Sequence, residues 1–188
     1  VDGSLFTGRE PNEHRYDFDK PRFDSYSYRL TINPYKTLSM QVSRAFINSP
    51  EELQPEEDIV RTTASVTHVL PMTGENHFLT STFVWGYNDS GPDHKENSFT
   101  FESNLQLDRF ALYGKYENID KSADELLLDQ FSDHQKFNIS AVTLGVNYTI
   151  VRQLKTNLAI GAQGSIFMAD TSLDPIYGNN PLSAEVCM

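Results

Sequence analysis

Apolar and polar residues alternate with a period of two along most of this chain. Between Arg22 and Ile32, Tyr26, Tyr28, Leu30 and Ile32 share one parity and Ser25, Ser27, Arg29 and Thr31 the other. Successive side chains of a strand point to opposite faces, so this alternation predicts a strand whose two faces meet different media. The same pattern returns in Thr37 to Ile47, Ile59 to Leu70 and His77 to Tyr87. It continues in Phe99 to Leu107, Arg109 to Glu117, Val142 to Ile150 and Leu158 to Met168. A partial strand is expected in Val1 to Thr7 and another from Ser183 to Met188, giving eight full strands and two partial ones. No segment carries a helical period. The best candidate, Ser122 to Gln130 with Leu126, Leu127 and Leu128, is short and flanked by acids, and reads as one turn of helix inside a loop.

The connections alternate in length. Asn33 to Lys36, Pro71 to Asn76, Leu107-Asp108 and Val151 to Asn157 are short. Gly8 to Pro21, Asn48 to Asp58, Asn88 to Asn97, Asp120 to Gln135 and Ala169 to Leu182 are long. This order predicts an all-β, antiparallel up-and-down meander with two unlike rims. Short turns on one side and longer loops on the other are the habit of transmembrane barrels. The expected strands match the ~9–11 residues that a tilted strand needs to cross a hydrocarbon layer. Tyr26, Trp85, Tyr87, Tyr116 and Tyr148 fall near strand ends on the apolar parity, where aromatic side chains anchor an interface. The opposite parity is mostly Ser, Thr, Asn and Gln. A soluble exterior is richer in Lys and Glu. A soluble, calycin-like barrel has the same period with the opposite orientation: Phe99, Phe101, Phe110, Leu112 and Trp85 would then line a ligand cavity.

Composition narrows the choice. The chain has 188 residues, with 15 Lys and Arg against 26 Asp and Glu, for a formal net charge of -11. A protein that binds nucleic acid by neutralising phosphates is excluded on that balance. Aromatics at 12% argue against wholesale disorder. No apolar run approaches the ~20 residues of a spanning helix. The single cysteine, Cys187, excludes an internal disulfide and a cysteine-cluster zinc site.

Five segments carry a resemblance to a known family. They are Gly3-Ser4-Leu5-Phe6-Thr7-Gly8-Arg9-Glu10-Pro11-Asn12-Glu13, Tyr16-Asp17-Phe18-Asp19, Phe23-Asp24-Ser25-Tyr26-Ser27, Ser49-Pro50-Glu51 and Arg61-Thr62-Thr63-Ala64-Ser65. Together they resemble an uncharacterised family of bacterial outer-membrane β-barrel, porin-like proteins. The resemblance implies a place in the bacterial outer membrane and a longer barrel with further strands. Residues 1–188 are therefore expected to form one barrel domain, part of a longer barrel with both terminal strands cut short.

The candidate functional residues are charges. Arg29, Arg61, Glu102, Arg109, Lys115 and Glu117 lie on the polar parity and are expected to line the interior, because a charge facing lipid costs ~2–4 kcal/mol at the midplane. Such charges either set the ion preference of a pore or pair to fill a plugged interior. Arg9, Glu10, Asp17 and Asp19 belong to a dense run at the expected mouth, read as a constriction or an ordinary hydrated loop. His14 with Asp17 and Asp19 raises a cation site there, set against local charge pairing. The acidic run Glu51, Glu52, Glu56, Glu57 and Asp58 is read as a solvated loop or a cation-attracting rim. Enzyme motifs such as Gly-x-Ser-x-Gly, His-Glu-x-x-His and a phosphate-binding glycine loop are missing. The expectation is a passive pore for small polar or ionic solutes, with no cofactor and no resident metal. Its partners would be the lipid bilayer and lipopolysaccharide. A non-conducting structural or surface-binding barrel and the soluble barrel stand as alternatives.

Overall fold

The computed structural model describes residues 1–9, 20–50, 57–91, 94–128, 130–132, 135–153 and 156–188. The mouth residues Glu10, His14, Asp17 and Asp19, with Glu51, Glu52 and Glu56, lie outside the described residues. The strands are β1 (Asp2–Phe6), β2 (Ser25–Tyr35), β3 (Leu38–Ile47), β4 (Ile59–Pro71) and β5 (His77–Asp89). They continue as β6 (Lys95–Leu107), β7 (Phe110–Ser122), β8 (Lys136–Gln153), β9 (Thr156–Met168) and β10 (Leu182–Cys187). All ten join one sheet in chain order, each antiparallel to its neighbour. The expected meander is therefore the observed one. The sheet does not close: β1 pairs with β2 and β10 with β9, and they do not pair with each other.

The alternation holds in three dimensions because the register carries one parity across strands. Thr82, Glu102, Lys115, Thr143 and Ser165 are successive cross-strand partners on one face. Phe83, Phe101, Tyr116, Val142 and Ile166 are successive partners on the other. The apolar face has no layer packed on it. Leu30 is 46% exposed, Val42 54%, Phe101 47% and Leu144 67%. Aromatic rings stack on this face, Trp85 on Tyr87 at 6.1 Å and Tyr26 on Phe46 at 5.7 Å.

Three local expectations need correction. Among its described residues the Ser122–Gln130 segment forms hydrogen-bonded turns and no helix. Ser122 and Glu125 make a reciprocal capping pair, with Glu125 N–H donating to Ser122 Oγ and Ser122 N–H to Glu125. The turn cannot propagate because Leu127 adopts φ 53°. The helix α1 is instead Asp174–Tyr177, following a 3-10 turn at Thr171–Leu173. Asp170 caps that turn at 2.9 Å from Ser172 N, and Pro175 favours the first helical turn. Strand β2 also runs through the expected turn to Tyr35, with the ladder irregular between Ile32 and Tyr35, where Pro34 has no N–H to give. Finally, β8 starts at Lys136, well before Val142.

Buried apolar packing is concentrated at the long-loop rim. Ala123, Phe137 and Leu173 are each 1% exposed, and Leu126, Leu128 and Phe131 pack against them. Phe131 meets Phe137 edge-on at 5.1 Å. The loops after β7 and β9 thus share a small core.

Candidate functional site

Two of the hollows on the polar face gather charged candidates. The first, about 570 Å³, spans β5 to β9 at mid-sheet. Glu102 and Lys115 face each other in register, and the Lys115 ammonium reaches Glu117 at 2.8 Å. Hydroxyls surround them: Thr143 lies 2.6 Å from Ser165, and Thr82 lies 3.2 Å from Thr67. Below this row the Tyr113 hydroxyl crosses β8 to donate to Gln163 at 3.0 Å, and Gln163 donates to Glu185 on β10 at 2.8 Å. The crossing depends on Gly145. It sits on β8 between the two, and any Cβ there would collide with the Tyr113 ring.

The second hollow, about 370 Å³, lies at the long-loop end. Arg61, Asn88 and Glu96 contribute from strands, and Glu57, Asp124 and Glu125 from loops. Arg61 Nε donates to Asn88 at 2.8 Å. Glu125 accepts from Lys121 at 2.7 Å and is in hydrogen-bond contact with Glu96. Partial burial opposes the Glu125 charge, but the Lys121 ammonium and the Ser122 N–H outweigh it and hold the carboxyl below its ordinary value. At the base of the first long loop, Asp24 accepts from Gly8 N–H at 3.0 Å. That bond, aided by Ser25 Oγ, lowers its pKa.

The structure thus brings Glu102, Lys115 and Glu117 together in the mid-sheet hollow and puts Arg61 at the long-loop end. Arg29 stands apart, near the β1 edge, where it forms a two-point fork with Asp2 at 3.0 and 3.1 Å. Arg109 sits in the two-residue turn between β6 and β7 and donates to the Ile150 carbonyl at 3.2 Å. It belongs to the short-turn rim. Arg9 is half-buried at the edge of the described loop. Tyr113, Gln163, Glu96 and Glu125 are not among the candidates that the sequence pattern singles out. The Ser122-x-x-Glu125 spacing was the one readable signal among them. Among the described residues, no group of three or more His, Cys, Asp or Glu could hold a metal ion. Phe101 and Glu102 point to opposite faces, Phe101 to the uncovered apolar one and Glu102 into the mid-sheet hollow.

No family model matches the chain, and no curated protein matches it. Three solved structures from Pseudomonas aeruginosa, all outer-membrane porins, resemble its arrangement. OccK7 (OpdD) has a TM-score of 0.46 at 11% identity, with 86% of this chain and 53% of that one covered. OccK3 (OpdO) has 0.44 at 9%, with 97% and 58% covered. OpdQ has 0.41 at 10%, with 86% and 53% covered. The chain spans little more than half the length of each.

Proposed function

We propose that this chain is part of an outer-membrane β-barrel whose polar face lines a passive pore for small polar or ionic solutes. One observation carries the reading: an unpacked apolar face and a hydroxyl-rich, charge-bearing face share a single sheet. In water, Leu30, Val42, Phe101 and Leu144 would form an aggregating surface. In a bilayer they are solvated by acyl chains. Strands β4 to β7, each 13 residues, are long enough to span the hydrocarbon at a tilt. Backbone groups on an open sheet edge go unsatisfied in lipid, so β1 and β10 require further strands beside them. Residues 1–188 are read accordingly as one domain of a longer barrel.

The polar face then meets water. Its charges at Arg61, Glu102, Lys115 and Glu117 are spaced among Ser, Thr and Asn, which suits solutes that exchange one hydrogen bond for another along the path. Planar-bilayer conductance of the full-length protein tests this. Current is expected, and Arg61→Ala should shift selectivity toward cations, whereas Arg109→Ala at the turn should shift it less. Unchanged selectivity in Arg61→Ala would remove that arginine from the path.

A second reading has its own observation. Lys115–Glu117 and Arg29–Asp2 are already paired, and the β7–β8 loop places Asp124 and Glu125 in the rim hollow. That arrangement suits a non-conducting barrel with a filled interior. Absence of current from correctly inserted protein would favour it.

A further inference from the structure

Strand β3 carries one residue that breaks the chemistry of its face. Arg44 lies between Val42 and Phe46, with Tyr28 of β2 and Thr62 of β4 as its cross-strand partners. Ser43, one residue earlier, bonds Thr63 at 2.7 Å on the polar face, so Arg44 stands on the apolar one. Arg29, Arg61, Arg109 and Arg152 all have partners: Asp2, Asn88, the Ile150 carbonyl and Asp108. Arg44 is exposed, and no hydrogen bond or ion pair ties it to any described residue. A guanidinium on a lipid-facing surface is tolerated where it can reach the headgroup level and meet an anion there. Arg44 is placed to do so, since β3 ends at Ile47 on the long-loop side and the stacked Tyr26–Phe46 pair lies one step closer to that rim. Its aliphatic stem can lie along these rings while its head rises to the interface.

We propose that Arg44 binds the phosphate of an anionic lipid headgroup in the leaflet on the long-loop side, with Tyr28 and the Tyr26–Phe46 stack flanking the lipid. The proposal rests on the membrane-barrel reading and names the residue by which that barrel holds a lipid. A guanidinium presents a planar fork of donors that matches two phosphate oxygens. The chain's net charge of -11 repels anionic lipid in general, so retention of one requires a local cation.

The test uses the full-length protein in vesicles of phosphatidylcholine, alone or with a minority of phosphatidylglycerol. Insertion is read by protease protection, and retained lipid by native mass spectrometry after extraction. Preferential retention of phosphatidylglycerol is expected, weakened about fivefold in Arg44→Gln. Arg44→Lys should keep part of the preference, and Arg29→Gln on the polar face all of it. Insertion without that preference, or a preference that survives Arg44→Gln, overturns the proposal and leaves the membrane reading standing. Failure to insert in either vesicle overturns the membrane reading, and the lipid site with it.

Discussion

On the strands, Val42, Phe101 and Leu144 hold their side chains away from the protein and are about half exposed or more. At the long-loop rim, Ala123, Phe137 and Leu173 are almost wholly buried, with Leu126, Leu128 and Phe131 around them. Both groups are apolar, and they meet different surroundings. The rim residues bury one another as a water-soluble protein does, whereas the wall residues depend on something outside the chain. Apolar residues on a strand therefore do not of themselves indicate a core. What decides is whether another layer covers them.

The sharpest way to break the contrast is to empty the rim core. Phe137→Ala should cost the cap about 3–5 kcal/mol, as truncation of a buried aromatic does. Limited proteolysis within 123–135 would rise, while the strands stay protected. Equal loss of protection in the strands would mean that rim and wall form one cooperative unit.

A charge on the wall comes next. Phe101→Arg puts a cation on the apolar face and should reduce insertion by about 2–4 kcal/mol if that face meets lipid. Glu102→Arg, one residue on, should leave insertion unchanged. Membrane-fraction yield or refolding into vesicles reads both. Equal effects would contradict the proposed orientation.

Acidification sharpens the comparison from the rim side, with the smallest effect. The Glu125 carboxyl is held below its ordinary value, so its ionised form stabilises the loop above the unfolded-state pKa. That contribution fades as pH falls through the folded value. Lys121 on β7 and Glu96 on β6 are the charged neighbours that set it. Because the carboxyl keeps partial contact with solvent, the change should stay under about 1 kcal/mol. It is read as loop protease sensitivity against pH, and Glu125→Gln should flatten that dependence. The wall, with its ladder hydrogen bonds, should not respond over the same range.

The sheet was legible in the amino-acid sequence because side-chain alternation is a local property of an extended backbone. Arg22 to Ile32 needs no distant partner to read as a two-faced strand, and the short and long connections order the meander. The parity of Glu102, Lys115 and Glu117 followed from the same rule. What the alternation left open was which residues of each face come together, and only the register and the loops decided it. Gly145 is an ordinary strand glycine until Tyr113 is seen to cross above it to Gln163. Glu125 is a loop acid until its turn brings it to Glu96 on β6. Leu173 joins the core of a loop from the other side of two long strands. Arg44 passes unnoticed in its strand until no described partner is found beside it. These contacts join residues far apart along the chain, so they depend on strand pairing and loop closure, which no local pattern encodes.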